Sequence, residues 1–269
     1  MDTARLRLCR SLLFLPASNP RAIDKARTLE ADMIVLDLED AVKPEEKATA
    51  RTAAETAVGE GFGDRLAAIR MNTVGSEYYG EDVVAIRSSS AEFVILPKAE
   101  SREQVHDTRR LVERPVLAMV ETPAGVLAAR AIAAEAAALV AGTNDLAAEL
   151  GIPVSADRRG LTLGLQTIVL AARAAGIPAF DGVYNGLDDD EGLARQCEEG
   201  RAFGFDGKSL IHPSQIATAN RLFGPSEAEL DAAARLVAAA TGGAERHEGR
   251  MIEAMHVAQA EALLAKGRR

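Results

Sequence analysis

Apolar runs of strand length, rich in branched side chains, recur eight times along the chain, with helix-like amphipathic stretches between them. In order they are SLLFLP (11–16), DMIVLDL (32–38), LAAIRMN (66–72), FVILPK (93–98), VLAMVE (116–121), ALVAG (138–142), AFDGVY (179–184) and GKSLIH (207–212). The Ala-rich segments PEEKATARTAAETAV, SREQVHDTRRLVE and GLQTIVLAARAAG are each of helix length. Strand followed by helix, repeated eight times, predicts an α/β fold, a (β/α)8 TIM barrel. Helix starts agree with this division. Ser101 precedes Arg-Glu-Gln, while Thr122 and Asn19 each precede a proline, so all three are placed to cap a first turn.

The chain continues past the eighth run through HPSQIATANRLF and PSEAELDAAARLVAAA, breaks at TGGAERHEG, and resumes a helical pattern in RMIEAMHVAQAEALLAKG. A barrel does not need this tail. The expected division is a catalytic barrel over 1–224 and a C-terminal helical extension over 225–269. The extension is a lid, an oligomerisation element, or a helix packed on the barrel or on a neighbouring subunit. No internal repeat, low-complexity tract or long linker interrupts the pattern.

Composition adds limits. With 269 residues, 48% hydrophobic and 26% charged, the chain is long enough for one large core. A formal net charge of -9 argues against a general nucleic-acid or anionic-membrane surface, so an anionic ligand must meet a local basic cluster. Cys9 and Cys197 form neither a disulfide framework nor metal-ligand spacing, which is the usage expected in a reducing cytoplasm. The apolar start ends at Pro16 and runs into charged NPRAIDKAR, unlike a signal peptide. No segment approaches the roughly 20 apolar residues of a membrane span.

In such a barrel, chemistry gathers where the strands end, and here those ends are polar. They carry Asp37, Glu39 and Asp40, then Arg70 and Asn72, Lys98, Glu121, Asn144 and Asp145, Asp181, and finally Lys208 and His212. Glu121 in MVETPAG and Asp145 in VAGTNDLA follow successive strands about 4.8 Å apart, close enough to share one Mg²⁺ at oxygen distances of about 2.0–2.1 Å. Taken singly, Glu121 also reads as a helix cap and Asp145 as an Asx turn; as a pair they point to a metal. No His or Cys pairing supports Zn²⁺.

Arg70 ends an otherwise apolar strand and must face a carboxylate, a bound anion, or both. Glu39 and Asp40 are placed to hold Arg70, order metal-bound water or move a proton. His212 reads as a loop-fixing side chain, and Asp188, Asp189, Asp190 and Glu191 as a solvated helix start. GFGDRL lacks the glycines of a dinucleotide loop and there is no Walker-type loop, so neither NAD nor ATP is supported.

DLEDAV with Pro44 and Lys47, IRMN, VILPKAES, ETPAG, GTNDLA, FDGVY and GFDGKSLIHPSQI occur in that order. With these motifs the chain resembles the citrate lyase β-subunit-like branch of the HpcH/HpaI aldolase superfamily over nearly its whole length. The resemblance implies a Mg²⁺-dependent carbon–carbon lyase that cleaves or condenses a short 3-hydroxyacyl thioester of the citryl-CoA, malyl-CoA or citramalyl-CoA type. It also implies a homotrimer or dimer of trimers. By motif, Glu121 and Asp145 match the metal ligands, Arg70 the substrate-contacting residue with Glu121 beside it, and Glu39 and Asp40 the supporting acids. Coenzyme A, or an acyl carrier protein thioester, then needs a basic patch, for which Arg21, Lys25 and Arg27 are candidates.

Two departures from the family pattern stand out. Where relatives often read G-x-M-I-D-x-P, with the Asp reaching a neighbouring subunit's site, this chain reads GRMIEAMHV. Glu253 takes the Asp position, its carboxyl displaced by roughly 1 Å, and the proline is absent. RRGLTLGLQTIV also lacks the aromatic and Arg found in many relatives. The alternatives left open are a 2-keto acid aldolase that does not use CoA and a non-catalytic ligand-binding or regulatory subunit.

Overall fold

The computed structural model describes residues 3–154 and 157–267. Eight strands close into a parallel barrel in sequence order: β1 (Ser11–Pro16), β2 (Met33–Asp37), β3 (Leu66–Arg70), β4 (Phe93–Leu96), β5 (Val116–Val120), β6 (Ala138–Ala141), β7 (Ala179–Asp181) and β8 (Gly207–Leu210). Each begins within one residue of its apolar run. Several end earlier than the run, because the polar residues at the runs' ends already belong to the loops.

Side chains alternate strictly. Leu12, Met33, Val35, Leu66, Ala68, Phe93, Ile95, Leu117, Met119, Ala138, Val140 and Phe180 fill the interior. Their neighbours Leu13, Ile34, Leu36, Ala67, Ile69, Val94, Leu96, Ala118, Val120 and Leu139 pack outward under the helices. Both faces of β2 to β6 are therefore apolar over most of their length, which is why those runs read as continuous rather than alternating. A short 3-10 turn over Thr3–Leu8 places buried Leu6, followed by Cys9, among the interior side chains and closes the lower end.

Helices α1 (Pro20–Ala26), α2 (Lys47–Glu60), α3 (Tyr79–Ser88), α4 (Arg102–Val112), α5 (Pro123–Ala133), α6 (Thr143–Glu149), α7 (Thr162–Ala175), α8 (Asp190–Phe203) and α9 (Ile216–Phe223) surround the barrel. The expected caps are present. Asn19, Ser101 and Thr122 accept from the backbone N–H of Ala22, Gln104 and Gly125. Asp189 caps α8, so the acidic run is a helix start as expected.

The tail contains α10 (Glu227–Ala239), with a full capping box from Ser226 and Glu229, and α11 (Ala254–Gly267). Between them lies an antiparallel hairpin, β9 (Glu245–His247) and β10 (Arg250–Ile252), where the sequence predicted only a break and an earlier helix start. Its turn is made by Glu248 and Gly249, both with positive φ. Strands of 3 residues, ERH and RMI, are too short for an apolar alternation to announce them. Helix α11 is anchored to the barrel by Lys266, whose ammonium donates to the Asp206 carbonyl at 2.7 Å. Among the described residues no helix is long and apolar enough to cross a membrane.

Candidate active site

The inward parity of β2, β3 and β5 carries Asp37, Arg70 and Glu121 into one cavity of about 390 Å³ at the C-terminal mouth of the barrel. Asp40, Asp145, Phe14, Met119 and Ser209 also line it. Arg70 is held on several sides. Its Nε and Nη2 donate to the two oxygens of Asp37 at 2.8 and 2.6 Å, and Nη1 lies 2.8 Å from Glu39 and 3.7 Å from exposed Asp40. The guanidinium lies over the Phe14 ring at 5.5 Å. A fork gripped in this way keeps one rotamer while its edge faces the cavity.

Asp37 is thus the principal partner of Arg70, ahead of the Glu39 and Asp40 pair that the sequence analysis emphasised. It also accepts from the backbone N–H groups of Glu39 and Ala41, which fixes the turn carrying those acids. Lys47 holds the same turn from below, donating to the carbonyls of Leu38 and Glu39 and to the Asn72 amide oxygen at 2.7, 2.8 and 2.7 Å. Burial, against the attraction of Arg70, pushes the Glu39 carboxyl up to about 8.

Glu121 directly follows β5 and is 2% exposed; burial pushes its carboxyl up to about 7, with the Lys98 backbone N–H opposing the shift. That N–H donates to one Glu121 oxygen at 2.8 Å. The other oxygen lies against Gly142, where any Cβ would sit 2.3 Å from the carboxylate. Only glycine at 142 leaves room for it. Asp145 stands in the first turn of α6 rather than at a strand end, and its carboxylate is 3.5 Å from the Lys98 ammonium. Through Lys98 the two acids share one neighbourhood.

The donor set suits a magnesium ion. Two carboxylates meet at the rim of a cavity with room for water and substrate oxygens, the mode in which Mg²⁺ is commonly held. Among the described residues no group of three or more His, Cys, Asp or Glu side chains converges as a complete metal cage. Buried hydroxyls of Thr143 and Ser209 also line the cavity and have no partner.

Other sequence candidates do not line this cavity. Asp181 and Lys208 point outward beneath α8, Lys208 fully buried and bonded to Asp181, the Gly182 carbonyl and Gln196, while Arg158 closes on Asp181 from the other side. His212 accepts from the Ser214 N–H and fixes its turn, as expected. Arg21 and Lys25 are exposed on α1, which leaves the mouth end of β1; Arg27 is engaged by Glu60, the Gly61 carbonyl and the Phe62 ring. Glu253 is exposed between β10 and α11 and is not among the cavity-lining side chains of its own chain. Sequence reasoning counted Asp37 only among the DLED acids available to pair with Arg70, and gave Lys98 and Gly142 no specific role. Strand parity marks Asp37, and the glycine directly before TND marks Gly142.

Comparisons with known proteins agree on one family. The description HpcH/HpaI aldolase/citrate lyase matches residues 10–213. A protein of Cereibacter sphaeroides named (3S)-malyl-CoA thioesterase is 42% identical, covering 96% of this chain and 94% of its own. The citrate lyase subunit beta of Leuconostoc mesenteroides is 32% identical over 93% of this chain and 87% of its own. Among solved structures, the protein CitE from Mycobacterium tuberculosis in complex with magnesium, acetoacetate and coenzyme A superposes with a TM-score of 0.84 at 34% identity. It covers 98% of this chain and 100% of that one.

Proposed function

Because this chain belongs to the HpcH/HpaI aldolase/citrate lyase family, we propose that it is a magnesium-dependent carbon–carbon lyase acting on a short 3-hydroxyacyl-CoA of the malyl, citramalyl or citryl type. The observation that carries the reading is the joining of Glu121, Asp145 and the clamped guanidinium of Arg70 at one cavity. Glu121 and Asp145 would hold the ion. Bound there, magnesium would draw in the carboxylate and hydroxyl oxygens of the substrate and make the hydroxyl proton easier to lose.

The chain's own groups supply the rest. Arg70, fixed by Asp37 and Glu39, is preorganised to stabilise negative charge that develops on the thioester oxygen as the Cα–Cβ bond breaks. Glu39, its carboxyl pushed up to about 8, is matched to giving and taking a proton near neutral pH, with Asp40 orienting water beside it. Phe14, Pro16, Val183 and Ile211 form the apolar part of the lining and limit water at the reacting carbons. Arg21 and Lys25 are the candidates for the phosphates of the coenzyme. We assign 1–224 as the catalytic barrel and 225–269 as a lid, with Glu253 serving the mouth of a neighbouring copy in a homotrimer. The setting we propose is cytoplasmic.

Thioester hydrolysis of the same substrates is the second reading, favoured by the 42% identity to a thioesterase. One assay separates them. Malyl-, citramalyl- and citryl-CoA are incubated with magnesium or EDTA while keto acid and free thiol are followed together. Keto acid without thiol supports the lyase, thiol without keto acid the hydrolase, and neither product across the panel overturns both.

A further inference from the structure

Lys98 is the described residue that touches both acids of the metal cradle, by two different groups. Its backbone N–H donates to Glu121, and its ammonium lies 3.5 Å from Asp145. It also holds φ at 47°, one of few positive values outside glycine in this chain. Non-glycine residues in that region carry strain and persist where the surroundings demand them. The N–H contact does not require lysine, since glycine would present the same N–H without strain. What lysine adds is a positive charge on a tether, among Glu39, Glu121 and Asp145, acids that outnumber the nearby cations.

We propose that Lys98 is a built-in competitor for the metal: its ammonium neutralises Asp145 when the cradle is empty and must move aside when a divalent ion enters. The proposal rests on Glu121 and Asp145 being the metal ligands. It makes three linked statements. Lys98 weakens metal binding rather than assisting it. The competition is electrostatic and declines with salt, because both side chains are about one-third exposed, at 38% and 34%. Metal entry also frees a cation at the rim of the cavity, where an anionic substrate arrives, so the metal precedes the substrate.

The test is magnesium affinity by calorimetry on the full-length protein, without substrate or turnover. Lys98→Met removes the charge and keeps most of the side chain's length; Lys98→Gly removes the side chain and keeps the N–H. Both are expected to tighten magnesium about five- to tenfold at low salt, with the difference shrinking toward 0.5 M salt. Lys98→Gly is also expected to melt at or above the wild-type temperature, because glycine relieves the positive φ. Unchanged or weaker binding in both variants overturns the proposal. Glu121→Gln serves as the control. If it weakens magnesium while the Lys98 variants match wild type, the competitor idea alone fails; if it leaves magnesium untouched, the ligand assignment fails and takes Lys98 with it.

Discussion

Two clusters of charge are carried by the barrel strands and their loops, and they differ in a way that separates scaffold from site. Beneath α8, outside the barrel, Asp181 and Glu199 are matched by Lys208 and Arg158, and the Lys208 ammonium donates to three acceptors. Charges there cancel and hydrogen bonds are filled. At the mouth, Asp37, Glu39, Asp40, Glu121 and Asp145 outnumber the cations beside them among the described residues, Arg70 and Lys98 at the cavity and Lys47 behind the turn. An excess of acids beside an open cavity is relieved by protons, as the raised Glu39 and Glu121 carboxyls show, or by a further cation, whereas a balanced cluster needs neither.

The largest effect that tests this contrast is on activity. Glu121→Ala and Asp145→Ala are each expected to lower magnesium-dependent turnover about 10³-fold or more while moving the melting temperature by only a few degrees. Retained turnover in both would place the metal elsewhere. Asp181→Ala should do the reverse, destabilising by about 3–5 kcal/mol because it strands the buried Lys208 and leaves Arg158 with Glu199 alone, with magnesium affinity unchanged. Calorimetry and a melting curve on the same preparation read both quantities; a loss of magnesium binding without loss of stability would merge the two clusters into one functional unit.

A smaller change is expected from Arg70→Lys. One ammonium cannot grip both oxygens of Asp37 and also reach Glu39, so kcat should fall about 10²-fold with a lesser change in KM. Equal kcat would remove the guanidinium geometry from the reaction.

The smallest effect concerns pH. Folding raises Glu39 from 4.5 to about 8 and Glu121 from 4.5 to about 7, so between those values the folded state holds protons the unfolded chain has released. These groups therefore make stability fall as pH rises from about 4.5 to about 8. Magnesium favours the ionised Glu121, so the gap between melting temperatures in magnesium and in EDTA should widen by a few degrees across that interval. A constant gap would show that Glu121 does not titrate with the metal.

Much of this was legible in the sequence. Eight apolar runs gave the barrel and the starts of its strands, and Glu121, Asp145 and Arg70 converge as their motifs predicted. What stayed hidden depended on the direction of side chains. Every strand-end polar residue was a candidate, yet Met33, Val35 and Asp37 share one face while Ala179 and Asp181 share the other, opposite Phe180. Counting parity from the core outward would have promoted Asp37 and set Asp181 and Lys208 aside. Parity does not reveal Lys98, whose part depends on a backbone turn, or the β9–β10 hairpin, whose strands are too short to show a period.

Leu6, buried under the barrel with Cys9 beside it, has a kinetic consequence. Together with the interior side chains above them they leave no passage along the barrel axis, so reactants and products come and go from the mouth side. On the proposed reading, the small acid lies deepest and departs after the bulkier carrier has withdrawn. Traffic of this kind is last in, first out, and the acid alone should act as a product inhibitor that competes with the next arrival.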